Sequence, residues 1–381
     1  MTVMNTEIEL DVLYDSYQPS TAGTNHLLAY MKGLGELGVH CRVYYLYPDK
    51  KESRIGSLGN IEHIFLWERQ KLFKDKYLCS LMSLFLFRRE MMKERPIYVV
   101  GTSMFLPFIC KRGFRVYHER TEHPKVSGTI SGIVGKFLFN NYLKAIKKID
   151  GLFVISNNLR QCFIDDYGVD SNKVHVVNMV VDAERFNGLK KQETERYIAY
   201  CGTASNNKDG VDQLIKSFAL TSRVHQDVKL MIIGKTPDSG QEFENKNLVK
   251  ELGIESKVVF TGIIPAEQMP QVLMNAEVLA LDRPDNLQAK HGFPTKLGEY
   301  LLTGNPVVVT TVGDIPRFLK DGESAIFSKP NDPESFSSRL NWVLSHKEEG
   351  RKIGERGKEV AMKEFNYFGE SQKLAKVIFG E

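Results

Sequence analysis

Lys296 and Glu299 stand about one helical turn apart, behind the segment Gly292-Phe293-Pro294-Thr295. In that order these residue types can bind an anion beside a pair of hydroxyls. Pro294 suits the first turn of a helix, where its missing N–H costs nothing, and Gly304 suits the left-handed residue that ends one. A short helix is therefore expected over residues 294–303. Its first turn presents N–H groups that lack intrahelical partners, at the positive end of the helix dipole, and Lys296 adds a full charge there. The Glu299 carboxylate can accept two hydroxyl hydrogen bonds. A diphosphate carrying a ribose offers both partners, an anion and a vicinal diol. The plainer alternatives are a surface ion pair for Glu299 and a solvated ammonium for Lys296.

Such residues need a scaffold that brings loops to one edge of a sheet. Apolar runs at 197–202, 228–234, 257–262, 277–282, 306–310 and 325–328 read as strands, with helices expected at 211–222, 243–252, 266–275, 294–303 and 314–320. That regular alternation builds a doubly wound parallel sheet, which binds ligands beyond the carboxyl ends of its strands. Residues 7–14, 41–47, 61–67, 97–101, 115–118, 151–156 and 174–178 read as strands of an earlier unit, with helices at 25–37, 77–94 and 133–149. Its first strand is followed by a small-residue loop that contains Gly23. The polar run at 186–195 reads as a linker, and three helices at 332–346, 349–364 and 368–379 finish the chain. The expected organisation is an N-terminal domain over 1–187, a C-terminal domain over 188–365 and a tail at 366–381 that packs back on the first.

Composition narrows the class of function. A chain of 381 residues, 42% apolar and 26% charged, suffices for two cores of ordinary size. The five cysteines, Cys41, Cys79, Cys110, Cys162 and Cys201, are odd in number and far apart, which argues against a disulfide framework or a zinc site and points to a reducing compartment. Residues 1–7 do not resemble a signal peptide, and no run is long and apolar enough for a membrane span, so a cytoplasmic protein is expected. A formal net charge of +4 does not suggest nucleic acid as a partner. The Asp282-Arg283-Pro284-Asp285 segment is the nearest approach to a metal-binding pair, and the arginine within it argues against a metal.

Four stretches then carry a resemblance: 180–186 (Val-Val-Asp-Ala-Glu-Arg-Phe), 202–211, 260–265 (Phe-Thr-Gly-Ile-Ile-Pro) and the Lys290–Thr310 segment that holds Lys296 and Glu299. In that order and spacing they resemble the retaining GT-B glycosyltransferases of family 4, clearly over 150–365 and in outline before that. The resemblance implies an α/β GT-B architecture, two doubly wound Rossmann-like domains facing a cleft, with C-terminal helices. It implies a nucleotide diphosphate sugar donor on the second domain and an acceptor on the first, with neither a cofactor nor a metal required. Glu299 matches the family glutamate that holds the ribose hydroxyls, and Lys208 a lysine on the diphosphate. His291 stands where a second glutamate is usual, and Thr203 where an arginine is usual. Arg283 and Lys296, or the hydroxyls of Thr203 and Ser205, are the expected replacements for that cation. Ile263 and Ile264 are expected to cradle the base, and the backbone at His291, Gly292, Phe293, Pro294 and Thr295 to meet sugar or phosphate. On the first domain, Gly23 is expected near the diphosphate and acceptor, and His118, at a strand end, near the sugar. The bland readings are a turn for Gly23 and for Lys208, and a structural histidine for each of His118, His123 and His291.

Two segments that mix apolar and basic residues, one ending in Arg88, Arg89, Lys93 and Arg95 and the other spanning 136–148, read as core helices with a solvated basic face. The sharper alternative is peripheral contact with the inner face of a membrane, which would suit a lipid-linked rather than a free glycan acceptor. Two rival functions are also compatible with the sequence. One is a catalytically silent GT-B homologue that binds a sugar or a partner protein, suggested by Thr203 and His291. The other is a nucleotide-sugar epimerase or oxidoreductase, disfavoured because no G-x-G-x-x-G follows the first strand.

Overall fold

In the computed structural model, which describes residues 8–15, 17, 22–46, 59–66, 76–101, 105–126 and 132–380, strands and helices alternate to build two parallel sheets. The first contains β1 (Ile8–Tyr14), α1 (Ala22–Glu36), β2 (Val39–Tyr45), β3 (Ile61–Phe65), α2 (Lys76–Glu90), β4 (Ile97–Val100), α3 (Leu106–Ile109), β5 (Val116–Arg120), α4 (Gly132–Ile146), β6 (Gly151–Val154), α5 (Asn157–Asp165) and β7 (Val174–Val176). Its seven strands run in the order β3-β2-β1-β4-β5-β6-β7. Leu10, Val12, Val43, Tyr98 and Phe153 cover one face, against which Leu27, Tyr30, Met31 and Leu34 of α1 pack. Each such buried aliphatic side chain contributes about 1.5–3 kcal/mol.

The second sheet belongs to β8 (Tyr197–Cys201), α6 (Asn206–Asp209), α7 (Val211–Val224), β9 (Lys229–Ile233), α8 (Ser239–Glu251), β10 (Val258–Gly262), α9 (Met269–Asn275), β11 (Val278–Leu281), α10 (Leu287–His291), α11 (Thr295–Leu302), β12 (Val307–Thr310), α12 (Ile315–Phe318) and β13 (Ile326–Ser328), followed by α13 (Pro333–Ser345) and α14 (Lys347–Glu364). Six strands run in the order β10-β9-β8-β11-β12-β13. The order reverses between β8 and β11, the switch point at which open parallel sheets take ligands. The last helix, α15 (Tyr367–Phe379), belongs to the first compact unit together with the chain up to Val180, while Val181–Asn366 form the second. Leu374 and Ile378 of α15 enter the first core, Ser371 Oγ donates to the Tyr30 carbonyl (3.2 Å), and buried Glu370 accepts from the Asn178 amide (2.9 Å).

The second unit starts before the polar run that reads as a linker. The Val181 N–H donates to the Phe365 carbonyl (3.0 Å) and Val181 bridges Asn366, so the turn at 183–186 is already tied to it. Local capping accounts for other departures from the sequence reading. Asp238 accepts from the Gln241 N–H (2.8 Å) and starts α8 at Ser239 instead of residue 243. Ser156 caps α5, a helix the apolar pattern does not announce. Helix α1 begins at Ala22, so Gly23 lies in its first turn, while most of the loop before it and Trp67 fall outside the described residues. Arg95, expected on a solvated basic face, is instead buried, with its Nε 3.2 Å from Asp11.

Candidate functional site

Strand β8 ends at Cys201, and the chain then turns through Gly202-Thr203-Ala204-Ser205 into the single turn of α6. The Ser205 hydroxyl accepts from the Lys208 N–H (3.2 Å) at its start, and Gly210, at φ +65°, closes it. This capped turn holds Asp209 inward with its carboxylate almost fully enclosed. Three groups surround it. The Tyr200 hydroxyl donates at 2.8 Å, the Lys296 ammonium forms an ion pair, and the Arg283 Nε lies 3.8 Å away.

Lys296 comes from the second position of α11. Its Nζ donates to the Tyr200 hydroxyl (3.0 Å) and lies 4.5 Å from the centre of that ring. It also lies against Gly202, whose φ of +144° is a backbone conformation that favours glycine. The Lys296 ammonium thus lies in the turn next to Thr203. Arg283 follows β11, is 2% exposed, and donates from Nε to the Lys208 carbonyl (3.4 Å).

Charge balance sets the protonation states. Burial alone would raise the Asp209 pKa, but Lys296 and Arg283 outweigh it and hold the carboxyl below its usual range. Burial pulls the Lys296 ammonium downward, against the attraction of Asp209. Next in sequence to Arg283, Asp282 points the other way, into the core. Burial pushes it up to about 8, and its Oδ2 lies 3.2 Å from Ser217 Oγ. Asp285 pairs with Lys290 at 3.2 Å, so the two carboxylates of that segment serve separate partners.

Glu299, one turn along α11 from Lys296, is 24% exposed, and its Oε1 accepts from Arg185 Nη1. Tyr300 beside it is enclosed and fastens α11 to the end of β8, its hydroxyl accepting from the Cys201 N–H (2.5 Å). The structure therefore gathers Thr203, Ser205, Lys208, Arg283, Lys296 and Glu299 around the β8 and β11 ends. Thr203 and Lys208 are exposed there. Ile263, 69% exposed, and Ile264 lie in the loop after β10. Asp209, Tyr200, Tyr300 and Arg185 are missing from the sequence reading.

Two expectations need correction, the free amide of Gly292 and the place of His118. His291 closes α10, its Nδ1 2.9 Å from the Leu287 carbonyl, and the Gly292 N–H donates to the Gln288 carbonyl (2.9 Å), so the helix uses the Gly292 amide. The Phe293 side chain is core, packed on Phe318 and Phe365 with ring centres 5.4 and 5.6 Å away, Pro294 is buried and caps α11, and Thr295 opens it half-buried, none of which bears on the backbone expected to meet a ligand there. In the first unit, His118 does not end its strand. It sits in the middle of β5, fully enclosed, with Nδ1 2.9 Å from the Val99 carbonyl, and burial with the nearby Arg120 pulls its pKa down to about 4. A side chain so enclosed cannot touch a sugar. Gly23 has a packing reason of its own, since a Cβ there would stand 2.9 Å from the Tyr14 hydroxyl.

Comparison with known proteins follows the same division. The family model described as "Glycosyl transferases group 1" matches residues 181–360. The chain is 26% identical over 225 residues to the MMP alpha-(1->4)-mannosyltransferase of Mycolicibacterium hassiacum, covering 59% of this chain and 52% of that protein. It is 25% identical to the mannosylfructose-phosphate synthase of Agrobacterium fabrum, over 57% and 50% of the two chains. The chain thus spans about half the length of these curated relatives. Among solved structures, Anabaena Alr3699/HepE in complex with UDP and glucose superposes with a TM-score of 0.74 at 15% identity, over 98% of this chain and 100% of the other. The sucrose-phosphate synthase from Thermosynechococcus elongatus gives 0.77 at 14%, over 97% and 98%. These likenesses show the fold, an α/β fold of the GT-B type.

Proposed function

We propose that this protein is a retaining glycosyltransferase that moves a sugar from a nucleotide diphosphate sugar to a hydroxyl acceptor on a glycan or a glycolipid. The observation that carries this reading is the pair of cations, Lys296 and Arg283, balanced by the single carboxylate of Asp209 at the β8–β11 switch point, with Glu299 one turn away. Two cations against one anion leave a net positive charge where a diphosphate would sit, next to a carboxylate that suits a ribose diol.

Departure of the nucleoside diphosphate puts negative charge on phosphate and positive character on the anomeric carbon. Lys296, held by Asp209 and Tyr200 before the reaction begins, and the first N–H groups of α11 face that charge, while Arg283, enclosed beside Asp209, adds its field without touching the phosphate. Lys208, exposed on α6, adds a charge at the rim. The acceptor hydroxyl attacks from the face the diphosphate leaves and gives its proton to a departing phosphate oxygen, so configuration is retained. The protein's own cations carry the phosphate charge, and no metal or cofactor enters the scheme. The UDP and glucose bound by HepE fit a donor of this class and leave the base of this protein's donor open.

Replacing Arg283 by Ala tests the site; donor affinity should fall about tenfold or more. An unchanged affinity removes Arg283 from it. The rival reading, a catalytically silent homologue, rests on Thr203 and His291. Thermal-shift screening with UDP, GDP and ADP, followed by transfer or hydrolysis assays with their sugars, separates the two: binding without turnover favours the silent homologue.

A cytoplasmic protein working at the inner face of a membrane fits the first unit. No helix among the described residues is long and apolar enough to cross a membrane. Leu81 and Phe85 of α2, and Ile133 and Phe137 of α4, are exposed beside Arg88, Arg89, Lys136 and Lys144. Apolar side chains flanked by cations favour an anionic lipid surface. Flotation with anionic liposomes at low salt tests this contact, and failure to float counts against it.

A further inference from the structure

Arg185 stands just before the polar run that reads as a linker, and the fold fixes it firmly. Asp182 Oδ1 accepts from the Glu184 N–H (3.0 Å) to start the turn at 183–186, and Phe186 is buried behind it. Just upstream, Val181 is bound to the Phe365 carbonyl. From this anchored turn the guanidinium reaches two separate parts of the second unit. Nη1 donates to Glu299 Oε1 on α11, and Nη2 lies 3.4 Å from the Ala266 carbonyl in the loop between β10 and α9. Glu299 Oε2 has no hydrogen-bond partner among the described residues. Neither Lys296 nor Arg283 takes up Glu299, because both are committed to Asp209.

We infer that Arg185 is a positioning residue: it fixes the Glu299 carboxylate and the β10–α9 loop so that a ribose diol meets an oriented acceptor. This rests on the reading of Glu299 as the ribose ligand. The contact is half-exposed, and such pairs add little to stability, so its effect falls on recognition. One carboxylate oxygen is held by a planar donor from an anchored turn. The rotation of Glu299 is thereby restricted and the second oxygen stays available, which lowers the ordering cost of gripping two hydroxyls. A lysine at this position keeps the charge and loses the fork that also reaches Ala266.

Calorimetric titration of the whole protein with UDP, GDP and ADP, and with their 2′-deoxy forms, reads this directly. The quantity of interest is the ratio of the deoxy to the ribo dissociation constant for the nucleotide that binds most tightly. For the native protein the ratio should be about tenfold, and it should approach one in Glu299→Gln. Arg185→Ala should lower it toward one with an unchanged melting temperature, and Arg185→Lys should fall between. A native ratio retained in Arg185→Ala, or a ratio that rises, overturns the inference and leaves the proposed function standing. No binding of any of the three nucleotides to the native protein overturns that reading and this one together. If Arg185→Ala does not fold, Arg185→Lys decides, and a native ratio in that variant overturns the inference.

Discussion

Each sheet carries a buried carboxylate bonded to a tyrosine hydroxyl, and the two have opposite surroundings. In the first unit Glu119 accepts from Tyr98 and lies 2.8 Å from the His26 ring, with all three side chains buried. In the second unit Asp209 accepts from Tyr200, but its main partner is the ammonium of Lys296, which is 16% exposed. Both carboxyls stay below the usual range because their partners outweigh burial. Glu119 is satisfied by groups that have no route to solvent, so it tightens a core. Asp209 holds a cation at the mouth of the sheet, and a held cation at a switch point is what an anionic ligand requires.

The largest effect should come from Lys296→Met. It leaves the buried Asp209 with Arg283 and the Tyr200 hydroxyl but without its paired ammonium, so transfer should fall by about a hundredfold or more. Stability in urea unfolding should fall by about 3 kcal/mol, the cost of breaking a buried pair. A variant with native turnover would make the second cluster as structural as the first.

Next in size is the pH dependence of stability, where two buried groups act with opposite sign. Asp282, raised from 3.8 to about 8, contributes stability in full below its unfolded value and loses it as pH rises toward 8. His118, lowered from 6.5 to about 4, must be neutral in the fold, so stability is lost as pH falls from 6.5 toward 4. Each slope is limited to about 1.4 kcal/mol per pH unit. Unfolding of Asp282→Asn followed from pH 5 to 8 should lose its decline relative to the native protein, and His118→Gln should flatten the acid side. Parallel curves for variant and native chains would contradict these assignments. The smallest effect belongs to donor affinity in His118→Gln, which should stay within about twofold of native, as expected of an enclosed side chain.

Much of this was legible in the residues. The alternation of apolar runs gives β8 to β13 within a residue or so, and Pro294 and Gly304 bracket α11. What escapes the sequence has identifiable physical causes. Asn206-Asn207-Lys208-Asp209-Gly210 reads as a turn, and nothing local says that its aspartate faces inward; that follows from the Ser205 cap and the Lys296 ammonium contributed by a distant helix. Arg185 sits next to a polar linker, so its partner 114 residues away is invisible. His118 fails as a sugar contact because a parallel sheet is covered on both faces, and a polar residue on such a strand gives no sign of which side opens. Of the site itself, Lys208, Arg283, Lys296 and Glu299 are readable, while the residues that orient them are not.

In the proposed function Lys296, held by Asp209 and Tyr200, binds the diphosphate of a nucleotide donor. The most direct test of that role is the dissociation constant of the tightest of UDP, GDP and ADP, measured by calorimetry for the native protein and for Lys296→Met, at low and at high salt. Binding that weakens about a hundredfold on substitution, with a salt dependence that the variant has lost, is the predicted result. Equal affinity of the two proteins at both salt concentrations would contradict it.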